Sequence, residues 1–484
     1  MRYHLIPLGC QMNVSDSERI VTVLEQLGYE ATDREEDADI LGIVACSVRQ
    51  KAIDRVYSKI HKWNEWKNDR NLLTFVSGCI LPADREKFLA RFDLVFTINE
   101  LPDLPDMIRH YGVPTPAGIS SSIGSSAAPA PTGGPAVGTP PPVWTPTAIA
   151  SPDTLLESVP DIREGFWKVT PTYTSRVEAY VPIQNGCDKF CTFCAVPYTR
   201  GREVSRPSAE IIAEVESLVD QGYRSITLLG QNVNSYGLDH RSSEISFSEL
   251  LHEVGRVTAG KPVWVYFTSP HPRDMTDDVL EAIAAHGTLA KQIHLPIQSG
   301  DDKVLIRMNR NYRLSGYRSV VESIRRIVPE ATLFTDIIVG FTGETEEQFQ
   351  RTRAAMEEFR YDMAYIATYS PRPGAASSRW ADDIPQEEKK RRHRVLTEVL
   401  ERTAGERNAG LIGRTIPVLV EGRDRQGYVS GRTEGRVPVR IAEAHDNEGM
   451  PELLPGTVLD LRITDARPLS LFGEPVAVAV AAAG

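Results

Sequence analysis

The stretch Asn185-Gly-Cys-Asp-Lys-Phe-Cys-Thr-Phe-Cys194 decides how the chain is read. It sets Cys187, Cys191 and Cys194 in a C-x3-C-x2-C loop, directly after an apolar run at 177–183 with the character of a buried strand. A loop this tight can aim three thiolates at one centre. A structural zinc site normally takes four protein ligands, and the next histidine downstream is His240. Iron–sulfur cubanes are also held by Cys thiolates, and three ligands leave one iron open to chelate a substrate or cofactor. The spacing therefore favours a reactive iron–sulfur cluster over a zinc or purely structural site.

Working outward, strand-like runs recur at 225–229, 263–267, 292–295, 333–338 and 364–369, with helical patterns between them. About six βα units across 173–405 predict a complete or partial TIM-type barrel, closed by a long polar helix from 386 to about 407. Upstream, residues 1–113 place apolar runs at 3–8, 40–45, 72–76 and 94–98. Helical patterns at 15–28, 49–64 and 83–91 alternate with them, the first opened by Ser15 and Asp16. That rhythm predicts a doubly wound parallel sheet. Downstream, short strands at 416–421, 427–430, 437–440 and 458–464 within 411–475 predict a small β-barrel of the OB kind.

Between the first two blocks, residues 114–152 contain no Asp, Glu, Lys or Arg and ten Pro. Such a segment buries too little apolar surface to offset its ordering entropy, so 114–160 is expected to be a disordered insert, a plain tether in the simplest view. The whole chain has 484 residues, which at about 150 per domain predicts about three domains. No apolar run approaches the ~20 residues of a membrane span, and the first ten residues do not read as a signal peptide. The expected location is the cytoplasm, where cysteines stay reduced. A net charge of −11 argues against indiscriminate binding of nucleic acid but leaves room for a local basic groove.

The remaining cysteines, Cys10, Cys46 and Cys79, are 36 and 33 residues apart, and each follows or ends a predicted strand. Strand ends of an open parallel sheet share one edge, where ligands bind, so three thiols would converge there. The alternative is that they pack in the core, as free Cys often does.

The run Gly186-Cys-Asp-Lys-Phe-Cys-Thr-Phe-Cys-Ala-Val-Pro-Tyr-Thr-Arg-Gly-Arg-Glu-Val-Ser-Arg-Pro207 strongly resembles the radical S-adenosylmethionine (SAM) motif of the methylthiotransferases. Gly9-Cys-Gln-Met-Asn13, Cys46-Ser-Val-Arg49 and Ser77-Gly-Cys79 resemble the family's N-terminal cysteine motifs. Leu229-Gly-Gln-Asn-Val-Asn-Ser-Tyr-Gly237, His294-Leu-Pro-Ile-Gln-Ser-Gly300, Asp336-Ile-Ile-Val-Gly-Phe341 and Tyr369-Ser-Pro-Arg-Pro-Gly374 match further. The last block resembles the RNA-binding TRAM domain. The chain departs from the family pattern at Val44, Thr342 and Ala375.

The resemblance implies an α/β chain with an N-terminal methylthiotransferase domain (1–113), a radical SAM (βα)6 partial TIM barrel (173–405) and a TRAM barrel (411–475). It implies that Cys187, Cys191 and Cys194 hold a catalytic 4Fe-4S cluster that binds SAM and generates a 5′-deoxyadenosyl radical. Cys10, Cys46 and Cys79 would hold a second 4Fe-4S cluster that delivers sulfur, methylated by another SAM. The implied reaction is methylthiolation of C2 of N6-isopentenyladenosine beside the tRNA anticodon. The alternatives are a sister enzyme acting on threonylcarbamoyladenosine or a ribosomal-protein aspartate, and a non-catalytic iron–sulfur tRNA-binding protein. Implied partners are tRNA, a low-potential electron donor of flavodoxin or ferredoxin type and a sulfur source or iron–sulfur carrier; the enzyme is expected to be a monomer without membrane contact. Gln231, Asn232, His294, Gln298 and Arg200 are candidates for binding SAM, although turn or packing roles suit the first four. Arg202, Arg206, Lys389, Lys390, Arg391 and Arg392 are candidates for RNA phosphate, against a solvated basic surface.

Overall fold

The computed structural model describes residues 1–47, 50–111, 166–240, 242–443 and 453–476. The expected tether at 114–160 lies outside the described residues. The first unit is a five-stranded parallel sheet of β1 (Arg2–Leu8), β2 (Glu30–Ala31), β3 (Ile40–Cys46), β4 (Leu73–Cys79) and β5 (Leu94–Val95), in the order β2-β1-β3-β4-β5. Every residue of β3 and β4 is buried, as expected of a central parallel strand covered on both faces. Alternation along β3 splits the core: Ile40 and Val44 pack on one face with the helix Gln11–Gln26, while Leu41, Ile43 and Ala45 pack on the other with Gln50–Trp66.

Two local expectations shift. The first helix begins at Gln11, not 15, because Cys10 caps it; Ser15 and Asp16 lie inside it. The expected strand at 94–98 stops at Val95, where Thr97 and Glu100 cap a 3-10 turn, Ile98–Asp103.

The second unit contains the six expected barrel strands: β6 (Glu178–Pro182), β9 (Ser225–Leu229), β10 (Trp264–Phe267), β11 (Gln292–His294), β12 (Thr332–Val339) and β13 (Met363–Thr368). They form two parallel three-stranded sheets joined by the Val265–Leu289 bridge, giving an open six-stranded arc. A two-residue hairpin, β7 (Gln184–Asn185) with β8 (Val204–Ser205), closes the base of the cysteine loop. The polar helix Gln386–Ala409 contributes Leu396, Val399, Leu400 and Ala404 to the barrel core.

The third unit is a closed barrel, β14 (Thr415–Arg423), β15 (Val429–Thr433), β16 (Pro438–Ile441), β17 (Val458–Arg467) and β18 (Ser470–Pro475), in the order β14-β15-β16-β18-β17. The sequence reading lacked β18, the strand that closes the barrel between β16 and β17. Among the described residues no helix is long and apolar enough to cross a membrane.

Candidate functional site

The first three cysteines meet through the sheet register. Cys46 and Cys79 are direct partners across β3 and β4, and Leu8, two residues before Cys10, pairs with Ala45. Asn13 organises the third: its Oδ1 accepts the Cys10 N–H at 3.2 Å and its thiol at 3.4 Å, while Nδ2 donates to the Ala45 carbonyl at 3.1 Å. That backbone contact needs no side chain at Val44, where the family pattern is broken. Cys10 also sits at the N-terminal, positive end of a 16-residue helix.

Arg200, from the turn after the cysteine loop, reaches across to this edge. Its Nε donates to Cys79 Sγ at 3.1 Å, it pairs with Asp16, and Nη1 donates to Asn185 Oδ1 at 3.0 Å. Both members of the Arg200–Asp16 pair are 2% exposed. The Cys46 thiol, donating to it, and Arg200 beside it pull the Cys79 thiol down to about 6 against the opposing effect of burial. Burial works against the Arg200 charge, but Asp16 and Cys79 outweigh it and raise its pKa.

The second set lies in the loop. Cys194 N–H bonds to the Cys191 carbonyl at 2.9 Å, and Thr192 ties the loop to the Met308 and Arg307 carbonyls. Buried Arg310 donates to Cys191 Sγ at 3.4 Å and to the Pro296 carbonyl at 3.1 Å. Burial pushes the Cys187 thiol up and Cys194 up to about 12, with the charge of Cys191 adding to both. Among the described residues no three Cys, His, Asp or Glu side chains close round a single ion. The donor chemistry, three cysteines in each set, fits iron–sulfur clusters with one iron left open.

A cavity of about 900 Å³ joins the two units. Cys10, Cys46 and Cys79 form one wall. Leu229, Gln231, Thr268 and Ser269, at the carboxyl ends of β9 and β10, form another. His294, Asp336 and Tyr365 line it from inside the barrel, and Arg436 enters from the third unit. Cys187, Cys191 and Cys194 are not in the lining; their loop reaches the cavity through Val196 and Arg200. Gln231 links the two places, its Oε1 accepting the Gly186 N–H at 2.6 Å.

The sequence candidates divide accordingly. Gln231, His294 and Arg200 line the cavity, whereas Asn232 and Gln298 do not. His294 Nε2 lies 2.8 Å from Asp336 Oδ2 but off the line of a good hydrogen bond. Asn232 is buried and bonds Ser235 at 2.6 Å, and Gln298 joins β12 through its backbone. The Arg200 guanidinium is held by Asp16, Asn185 and Cys79, which ties it to the Cys79 edge. The basic candidates for RNA phosphate divide by burial. Arg206 is buried against Glu210 and Glu214. Lys389 is 1% exposed, held by Asp382 and the Tyr369 carbonyl, and Arg392 is buried on Glu344 and Glu388. Only Arg202, Lys390 and Arg391 keep accessible surface, each beside a carboxylate: Asp188, Glu387 and Glu388 respectively. Arg310, Arg436 and the pairing of Asp16 with Arg200 were not legible in the sequence, since nothing local marks a residue whose partner is a hundred positions away.

Three families match parts of the chain: the radical SAM superfamily over 181–356, the uncharacterized protein family UPF0004 over 2–98 and the TRAM domain over 411–476. Among solved structures, the radical SAM methyltransferase TsrM from Kitasatospora setae, with cobalamin and a 4Fe-4S cluster bound, matches with a TM-score of 0.50 at 15% identity. That match covers 78% of this chain and 73% of TsrM and speaks for the fold alone. Fold and cysteine loop together define a protein of the radical SAM class. The tRNA-2-methylthio-N(6)-dimethylallyladenosine synthase of Geobacter metallireducens is 39% identical over 477 residues, 96% of each chain. Its counterpart in Dictyoglomus thermophilum is 36% identical over 98% of each. The chain belongs to the family of tRNA-2-methylthio-N(6)-dimethylallyladenosine synthases, the radical SAM methylthiotransferases.

Proposed function

We propose that the protein methylthiolates C2 of N6-isopentenyladenosine beside the tRNA anticodon. One observation carries this reading: the Cys10, Cys46 and Cys79 edge and the radical SAM barrel wall the same cavity. Cys187, Cys191 and Cys194 hold one 4Fe-4S cluster, and Cys10, Cys46 and Cys79 hold the other. When bound, these clusters and SAM supply hydrogen abstraction at an unreactive carbon, a sulfur atom and a methyl group. The division into an auxiliary-cluster domain (1–113), an insert (114–160), a radical SAM core (173–405) and a TRAM domain (411–475) is part of this reading.

The chain's own residues fix where that chemistry falls. Arg310 compensates charge at Cys191, as Arg200 does at Cys79. The buried Arg200–Asp16 pair holds the sheet edge against the barrel, so a base in the cavity is oriented by one rigid wall. At about 900 Å³ the cavity has the capacity for a modified nucleoside extruded from a loop. The third unit supplies stacking surfaces for the flanking RNA, with Arg440 4.7 Å from the exposed Tyr428 ring and Arg467 4.9 Å from Phe472. The partners proposed are tRNA, a flavodoxin- or ferredoxin-type electron donor and a sulfur source or iron–sulfur carrier, with the protein acting as a cytoplasmic monomer.

Nucleoside mass spectrometry of tRNA from a deletion strain tests the reading. Loss of 2-methylthio-N6-isopentenyladenosine, with N6-isopentenyladenosine accumulating, is expected. Persistence of that product, with loss of a different methylthiolated residue, would overturn the substrate assignment.

A further inference from the structure

The turn between β15 and β16, Glu434-Gly-Arg436, does not face solvent as an RNA-binding loop would. It is inserted against the strands of the radical SAM barrel. Tyr266 of β10 donates its hydroxyl to the Glu434 carbonyl at 3.0 Å. The Lys291 N–H donates to Glu434 Oε1 at 3.0 Å, and Thr332 Oγ1 donates to the Gly435 carbonyl at 2.9 Å. The approach at Gly435 is so close that a β-carbon there would stand 2.5 Å from Thr332 Cγ2.

This seating sends Arg436 into the cavity, where it joins Cys10, Cys46 and Cys79 in the lining. Its backbone is in the left-handed region, φ 58°, a conformation that costs a non-glycine residue energy and persists only where the surroundings impose it. The guanidinium lies 4.0 Å from the Tyr266 ring centre, donates through Nη2 to Thr227 Oγ1 at 2.7 Å, and stands 3.7 Å from Glu178 Oε1. One donor is left over: the buried Nε–H of Arg436 has no hydrogen-bond partner among the described residues. A buried donor left unpaired is costly, so a small turn of the guanidinium that offers this edge to an acceptor on a cavity ligand is favoured.

We propose that Arg436 is a base-positioning residue, through which the RNA-binding barrel forms part of the methylthiolation cavity and orients the extruded purine by a hydrogen bond to a ring acceptor. The inference rests on the proposed function. The RNA-binding barrel then does two jobs: its outer surface holds the RNA, and its inward turn aligns the reacting base.

The test uses the full-length, cluster-loaded protein carrying Arg436→Met or Arg436→Lys, with thermal unfolding measured alongside. Wild-type enzyme must first form the 2-methylthio product from isopentenylated tRNA; if it does not, the proposed function fails and not this inference. With R436M, kcat for product is expected to fall about 10- to 100-fold, the loss typical of a misplaced reacting group. KM for tRNA should stay within about threefold, because uniform binding is not what was removed. Reductive SAM cleavage without tRNA should continue, and R436K should restore part of the turnover. A raised KM with unchanged kcat would make Arg436 an RNA-gripping residue, and loss of SAM cleavage would place it in the SAM site. Either result, or no change at all, overturns the proposal.

Discussion

Arg200 shows how much of the site hangs on single side chains. It is two positions from the exposed Arg202 and looks interchangeable with it in sequence, yet it is buried between two units and bonded to Cys79. A buried pair that loses one member leaves the other charge uncompensated, which costs about 3–5 kcal/mol. Arg200→Met should therefore lower stability by that order, with Asp16 left behind, while Arg202→Met on the exposed surface should change it by less than about 1 kcal/mol. Urea unfolding of the two variants decides; equal effects would mean that the Arg200–Asp16 pair does not lock the sheet to the barrel.

Among the secondary-structure elements, β3 and β4 carry the convergence, because their register sets Cys46 beside Cys79. Gly78 makes this possible: its φ is 101°, and a β-carbon would lie 2.4 Å from the Ala45 carbonyl oxygen. Gly78→Ala should cost about 1–3 kcal/mol of strain and displace Cys79. Iron and acid-labile sulfide analysis should then find the N-terminal cluster depleted and the loop cluster retained; full loading of both would contradict the role given to this register. Most of these elements were legible in the sequence. The barrel strands are apolar runs bounded by polar turns, and a parallel sheet makes every strand end a marked position, so six cysteines could be sorted into two groups. The short pieces were not legible. β2 has two residues, and β18 carries a Gly and a Pro that read as a turn, so neither announces itself as a strand. The basic helix misled for a related reason: local charge does not tell whether Lys389 and Arg392 meet solvent or the carboxylates of Asp382 and Glu344. Only tertiary packing decides that.

For the molecule as a whole, three units share one cavity, and each contributes something the others lack. The sheet supplies the Cys10, Cys46 and Cys79 edge, the barrel supplies the second cysteine set and the cavity's inner wall, and the closed β-barrel supplies Arg436. A net charge of −11 is compatible with RNA binding if attraction is local rather than global. The central claim is that the two cysteine sets do different work on one bound base. It is tested most directly by replacing Cys10, Cys46 and Cys79 together with Ala and assaying the variant with SAM, a reductant and isopentenylated tRNA. The account predicts that 5′-deoxyadenosine still forms while no 2-methylthio product appears. Product formation at the wild-type rate by this variant would contradict it.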